Sequence, residues 1–379
     1  MTVVSDHLVP AAEAVAELKE AAAAYRDHGE RHSTLHLAVW RALEASALPR
    51  AALPACCGGL EWPAPQILGA VRQVALADPA AGWVAAICGP AGAFLSRLDP
   101  GIARELAGNQ TLIAGSSLPA GVTEPAGAAV RLRGRWPLVS GAPAMTLAAL
   151  AAAPASGPEG GTAVRWWLVP RGDMTVAEDW NAIGLRGSAS VTVSCDTLVP
   201  AARSIRLTDA PFLDAPLFRY PLYGLMAGCI AAVADATAVR ALTAFTRMAA
   251  TTRTRHAAGT LAGQLPAQAA YARADGLVQA ARMLLDSATA SAWASARDGE
   301  VPAGQRALLR LACCQMTDAA EASCRILFDA AGSAAIHYGN GLEGCWRDAV
   351  AISRHALVAN RGLQLAGAHH LTGHAAEDL

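Results

Sequence analysis

Charged side chains are scarce in this chain of 379 residues, where Asp, Glu, Lys and Arg together make up 16%. That share lies below the roughly 25% of an ordinary globular protein, which suggests that part of the surface is buried between subunits. The 30 basic residues almost balance the 31 acidic ones, giving a net charge of -1. Nucleic-acid binding, which needs a basic surface, is therefore disfavoured. Hydrophobic residues reach 53%, and this excludes intrinsic disorder.

Lysine is almost absent, since Lys19 is the single one and the other basic residues are arginines. Lys19 lies in an Ala/Glu-rich stretch that predicts a helix. A Schiff-base lysine, a lysine nucleophile or a phosphate-loop lysine would have to be this residue. We discount all three chemistries.

Signals of secretion, disulfide bonding and zinc binding are missing as well. No basic segment followed by an apolar one opens the chain, and we expect a cytoplasmic protein. The nine cysteines are odd in number and form no C-x-x-C, so we expect reduced thiols. The longest apolar stretch, 222–245, contains Asp235 and Arg240, which predicts a buried core helix and no membrane contact.

Three segments with different hydrophobic patterns follow one another along the chain. Residues 1–110 carry Ala, Leu and Val at helical spacing, 111–210 contain short alternating runs separated by Gly, Pro and Ser, and 211–379 return to alanine-rich helices. The segments predict an N-terminal helical domain, a middle β domain and a C-terminal helical domain. The fold class is α+β, mainly helical. Two long helices near 223–256 and 264–297 predict a bundle.

Several motifs have a structural and a functional interpretation. Residues 339–344 match G-x-G-x-x-G, but no strand pattern precedes them, so we interpret them as a turn between helices. His370 and His374 could share a helix face as metal ligands, although solvated histidines are the simpler interpretation, and we expect no metal. His355, in a stretch read as helical, is either structural or catalytic. Arg253 and Arg255 either compensate a helix dipole or hold a phosphate.

Seven segments stand out along the chain: LPACCGGLEWP (53–63), DPAAGWVAAI (78–87), IAGSSLPAG (113–121), GRWPLVSGA (134–142), DWNAIGLRGSASVTVSCDTLVP (179–200), TTRTRH (251–256) and CWRDAVAISRH (345–355). Together, and in this order, they resemble the acyl-CoA dehydrogenase superfamily, and most closely its flavin-dependent monooxygenase branch, the oxygenase components of two-component hydroxylases. Within that branch the chain is similar to 4-hydroxyphenylacetate hydroxylase oxygenase and dibenzothiophene monooxygenase.

The resemblance implies a middle β-barrel-like domain and a C-terminal four-helix bundle, with flavin between them and usually a homotetramer. It also separates two activities. An acyl-CoA dehydrogenase needs a carboxylate base, and the two places where relatives carry it fall on Ala356 and about Leu222 here. Neither side chain can take a proton, which disfavours dehydrogenation. A dehydrogenase or oxidase with a displaced base, and a flavin-free relative, remain as alternatives.

The resemblance thus implies a monooxygenase that receives reduced FMN or FAD from a separate reductase. Molecular oxygen would form a C4a-hydroperoxide on the flavin and pass to a small aromatic or polycyclic substrate. His355 and Ser140 are the implied catalytic residues, with Ser140 hydrogen-bonding flavin N5. Trp83 and Trp136 could border the substrate pocket, although a core tryptophan is the simpler interpretation of each. The implied cofactor-binding residues are Ser116, Ser117, Ser140, Gly187, Ser188, Ser190, Arg253 and Arg255.

Overall fold

The computed structural model describes residues 12–108, 111–155, 164–253, 259–376 and 378–379. Helices come first, then strands, then helices again, which confirms the predicted order. The chain divides into two compact units. One comprises Met1–Asn181 and Arg186–Leu222, and the other Ala182–Leu185 and Tyr223–Leu379.

Helices of the first unit begin at recognisable signals. Asp78 and Asp99 each precede a proline, and each carboxylate accepts a hydrogen bond from a backbone N–H of the following helix, at 3.0 Å from Ala80 and 2.8 Å from Gly101. Gly82 lets two of these helices approach closely, since an added Cβ would lie 2.3 Å from the Cβ of Ala75. The helices are α1 (Ala16–His32), α2 (Leu37–Ala45), α3 (Ala64–Ala77), α4 (Pro79–Ala91), α5 (Pro100–Ala107) and the short α6 (Pro216–Arg219).

Seven strands of the first unit form one sheet, in the order β5-β6-β2-β1-β3-β4-β7. All neighbours are antiparallel except β1 and β3, which run parallel with Ile113 opposite Leu147. The strands are β1 (Ile113–Ala126), β2 (Ala129–Val139), β3 (Leu147–Pro154), β4 (Arg165–Pro170), β5 (Thr175–Val176), β6 (Val191–Pro200) and β7 (Ser204–Ile205).

The register is interrupted at two places. The β1–β3 pairing shifts between Ser116 and Gly121, and the β2–β6 pairing shifts between Trp136 and Val139. Irregularities of this kind redirect side chains at the ends of a sheet. Both lie beside residues predicted to bind the cofactor.

The second unit is helical. Its helices are α7 (Leu222–Thr251), whose first residue belongs to the first unit, α8 (Leu265–Asp298), α9 (Ala303–Ala331), α10 (Leu342–Ser353) and α11 (Asn360–Thr372). The two predicted long helices are therefore confirmed as α7 and α8. A buried cluster that includes Phe245, Leu327 and Leu342 joins α7, α9 and α10.

The G-x-G-x-x-G match lies in a turn, as predicted. A short 3-10 helix (Gly332–Ile336) precedes it and α10 begins within it, at Leu342. The Asn340 side-chain oxygen accepts from the Leu342 backbone N–H at 2.8 Å, and its amide nitrogen donates to the His337 carbonyl at 2.7 Å. The glycines thus serve a capped turn.

Two helical segments, Pro79–Arg97 and Leu222–Thr251, are long and apolar enough to cross a membrane. Their most apolar windows are 94% and 89% buried, respectively. Such burial is typical of core helices.

Candidate active site

A buried chain of hydrogen bonds surrounds Ser140 in the first unit. The Trp83 indole N–H donates to Ser140 Oγ at 2.9 Å, and Ser140 Oγ lies 2.6 Å from Ser190 Oγ. Ser190 Oγ in turn lies 2.8 Å from Ser188 Oγ. Each of the four residues is at most 5% exposed. Helix α4 and the ends of β2 and β6 therefore bring together three residues predicted to bind the cofactor and one predicted to border the substrate.

The backbone that carries these hydroxyls is unusual. Gly141 has φ +81°, and the non-glycine residues Leu138 and Ala189 have φ +62° and +45°. Residues other than glycine adopt a positive φ only at a cost in conformational free energy, and backbone strain of this kind concentrates at functional sites. The left-handed turn at Ala189 places the hydroxyls of Ser188 and Ser190 within reach of each other. Leu138 is 64% exposed, so burial of its side chain does not compensate for its positive φ.

Other predicted residues of this unit lie apart from the chain or serve packing. Ser116 is buried, and its hydroxyl donates weakly to the Pro137 carbonyl at 3.5 Å, whereas Ser117 is exposed. Gly187 packs against α1 and α4, where an added Cβ would meet Ala80 Cβ at 3.1 Å and Gly29 Cα at 3.2 Å. Trp136 is completely buried, and its indole N–H donates to the Ala151 carbonyl at 2.7 Å. The environment of Trp136 is that of a core residue.

In the second unit, His355 lies in the turn between α10 and α11, not in a helix, because α10 ends at Ser353. The residue is half-buried, and its Nδ1 accepts from the Leu357 backbone N–H at 3.3 Å. Burial, and to a lesser degree the positive charge of Arg310, lowers the pKa of His355 to about 4. The imidazole is therefore neutral near pH 7, where the sequence suggested a residue able to act as acid or base.

Arg310 is a residue that the sequence reasoning did not single out. It lies on α9, is 2% exposed, and its Nη1 donates to the Tyr223 carbonyl at 3.2 Å. Its Nε has no hydrogen-bond partner among the described residues. In the sequence it is one arginine among many, and no motif marks it.

Arg347 and Asp348, which with Ala349 form an R-D-A motif within the segment CWRDAVAISRH, anchor the segment 182–185. Arg347 Nη1 donates to the Ile183 carbonyl at 2.6 Å, and the Leu185 backbone N–H donates to Asp348 Oδ1 at 2.6 Å. Gly184 is required there, since an added Cβ would lie 2.2 Å from the Arg347 carbonyl oxygen. The motif therefore has a structural role in this chain.

The predicted phosphate-binding pair is described only in part. Arg253 is exposed and lies beyond the end of α7, which ends at Thr251, and its backbone pairs with Thr260 as an isolated β-bridge. Arg255 lies outside the described residues. Among the residues that the structure describes, no three His, Cys, Asp or Glu side chains are grouped to hold a metal ion. All nine cysteines are free thiols.

Comparison with known proteins finds similar proteins over most of the chain. Residues 228–360 match the family described as "Acyl-CoA dehydrogenase, C-terminal domain". Indole-3-acetate monooxygenase of Pseudomonas putida is 28% identical over 331 residues, covering 86% of this chain and 85% of that protein. The oxygenase component of an FADH2-dependent resorcinol hydroxylase from Rhizobium sp. is 26% identical, covering 90% and 88%.

The fold is shared with XiaF from Streptomyces sp., whose structure was solved with FADH2 and glycerol. The TM-score is 0.87 at 25% identity, over 95% of this chain and 94% of XiaF. The mainly helical fold around a central sheet is therefore that of acyl-CoA dehydrogenases and their relatives. The chain is acyl-CoA dehydrogenase-like in fold and is a reduced-flavin-dependent monooxygenase of the oxygenase-component kind.

Proposed function

We propose that this oxygenase component inserts one atom of molecular oxygen into a small aromatic or polycyclic substrate, with Ser140 as the hydrogen-bond partner of flavin N5. The observation that carries the assignment is the buried chain from Trp83 through Ser140 and Ser190 to Ser188. An oxygenase component implies a reductase partner, and we propose that this reductase is a separate protein that supplies FMN or FAD in reduced form. The flavin, when bound, activates oxygen.

The hydroxyl chain fits the chemistry of a flavin ring. Trp83 can only donate, so it always occupies one lone pair of Ser140 Oγ. If Ser140 donates its proton to Ser190, its second lone pair can accept from the N–H of reduced N5. If Ser190 donates instead, the Ser140 proton can be given to oxidised N5, which is an acceptor. Rotation of hydroxyl groups therefore lets Ser140 serve both redox states.

The neutral imidazole of His355 supports a role as proton or hydrogen-bond acceptor near the substrate. With a pKa of about 4, it is in its basic form at neutral pH and cannot give up a proton there. A phenolic or indolic substrate would offer a proton to Nδ1 in place of the weak 3.3 Å contact from the Leu357 backbone N–H, because Nε2 carries the proton of the neutral ring while Nδ1 accepts. Of the two predicted roles, acid or base, we propose that of a base.

The remaining assignments belong to the same proposal. Arg253 and Arg255 would hold the flavin phosphate, and Ser116, Ser117 and the 187–190 turn would line the cofactor. Trp83 would act through Ser140, and Trp136 would border the pocket only indirectly, from the core. We further propose a cytoplasmic homotetramer with domains at 1–110, 111–210 and 211–379.

The separate reductase is tested by supplying electrons in two ways. NADH alone should give no turnover of the purified chain with indole-3-acetate or resorcinol as trial substrates. Adding NADH, flavin and an unrelated flavin reductase should give oxygen-dependent product, and reductase with flavin but without this chain is the control. Direct oxidation of NADH by the chain alone would contradict the proposal.

A further inference from the structure

Arg310 carries a buried charge that the described part of the chain does not neutralise. The residue is 2% exposed, and its one hydrogen bond among described residues joins Nη1 to the neutral Tyr223 carbonyl. No described Asp or Glu carboxylate lies within 4.0 Å of its guanidinium, whereas the more exposed Arg282 pairs with the buried Asp235 at 2.5 Å. A buried charge without a counter-charge is costly, and a bound anion would offset that cost.

The part of α9 that surrounds Arg310 supplies no counter-charge. On α9 the next acidic residue, Asp318, is eight positions further on, or about 12 Å along the helix axis. Cys313 and Cys314, one turn from Arg310, remain protonated because burial raises the pKa of these thiols to about 12 and about 11, respectively. His355, which feels the Arg310 charge, is neutral. The guanidinium is therefore a fixed positive charge in this part of the second unit, and the half-buried Arg306 lies one turn before it on the same helix.

Two neighbours of Arg310 are partly accessible to solvent. Tyr223, whose carbonyl accepts from Arg310, and His355, which feels its charge, are both half-buried. Ala356, next to His355, is exposed. A small ligand that reaches His355 therefore comes close to an arginine that still has donors to offer.

We propose that Arg310 binds the carboxylate of an aromatic acid substrate. A guanidinium presents a planar fork of N–H groups that matches the two oxygens of a carboxylate, and this match favours an acid over a neutral phenol or a polycyclic hydrocarbon. The carboxylate would fix the orientation of the aromatic ring beside His355. The inference rests on the proposed function, because it names the class of substrate for the same oxygenase.

The test is equilibrium binding of an acid and its uncharged isostere to the purified full chain, with and without oxidised flavin and without turnover. Calorimetry should show indole-3-acetate binding roughly 10- to 150-fold more tightly than indole-3-acetamide, which is the range for a hydrogen bond to a charged group. Arg310→Met, which keeps the bulk of the side chain, should abolish this preference and leave the amide affinity within about twofold. Arg325→Met removes an exposed arginine from the same helix and should change neither affinity.

Three outcomes would overturn the proposal. One is an equal affinity of the unaltered chain for acid and amide. The second is an equal loss of affinity for the acid and for the amide in Arg310→Met, which would mean that Arg310 has a structural role only. The third is weaker binding of FMN by Arg310→Met with an unchanged acid preference, which would assign the charge to the cofactor phosphate. If Arg310→Met does not fold, Arg310→Lys should keep part of the preference, and a lysine variant with full preference would refute the forked contact. The test measures binding and not oxygen transfer. The ratio of acid affinity to amide affinity can therefore be interpreted even if the monooxygenase proposal fails.

Discussion

Replacing Ser140 with alanine tests the hydroxyl chain most directly. The substitution removes the acceptor of the Trp83 N–H, which is 5% exposed as a residue and cannot turn to water without leaving the core. A buried donor left without a partner costs about 1–3 kcal/mol. In a domain of this size each kcal/mol lowers the melting temperature by roughly 2–4 °C. A stability loss is therefore expected whatever the function of Ser140.

The functional effect adds to that cost. If Ser140 hydrogen-bonds N5, its loss removes an interaction with a net value of about 0.5–1.5 kcal/mol, or roughly 2- to 12-fold in a rate. We expect Ser140→Ala to release hydrogen peroxide faster by this factor and to form less product per oxygen consumed. Ser190→Ala keeps the Trp83 bond but removes the hydroxyl that orients Ser140, so a smaller change in the same direction is expected.

Ser96→Ala provides the matched control. Ser96 is a completely buried serine of the first unit, and its hydroxyl donates to the Ala93 carbonyl at 2.7 Å. Its loss should lower the melting temperature by a similar amount without changing the ratio of peroxide to product. The assay is oxygen uptake with parallel measurement of peroxide and product in all three variants. Normal coupling in Ser140→Ala together with a lowered melting temperature would refute the N5 contact.

Three further predictions concern His355 and Arg253. His355→Ala should slow product formation by about 10²–10⁴-fold, the usual value of a lost general base, while flavin binding stays unchanged. Because the folded pKa of His355, about 4, lies below the usual value near 6.5, protonation favours the unfolded chain, so stability should fall as the pH is lowered from 6.5 to 4, by at most about 3 kcal/mol. Urea unfolding at several pH values should show this slope in the unaltered chain and lose it in His355→Gln. Arg253→Ala should weaken reduced-flavin binding by roughly 10- to 150-fold, measured anaerobically. An unchanged affinity for reduced flavin when Arg253 and Arg255 are both replaced with alanine would mean that these arginines only compensate the helix dipole.

Local patterns predicted the larger elements because hydrophobic periodicity is a property of neighbouring residues. The long helices α7 and α8, the turn at 339–344 and the order of helices and strands follow from spacing alone. The two-residue strands β5 and β7 were not predicted, because so short a segment carries no period. Strand β1 continues to Ala126 through Pro119 and Pro125, which local preference disfavours in a strand, because pairing with β2 and β3 outweighs that preference.

The residues of the candidate site were likewise predictable from the sequence only in part. The serines at 140, 188 and 190 could be named from the sequence because they lie within segments that resemble a family. Their joining to Trp83, 57 positions before Ser140, depends on the packing of a helix against the strand ends. Likewise the state of His355 was open in the sequence, since a pKa is set by burial and by a charge 45 positions away on another helix. Arg310 had no local signal at all: an arginine becomes a candidate for binding an anion only when the tertiary structure buries it without a carboxylate.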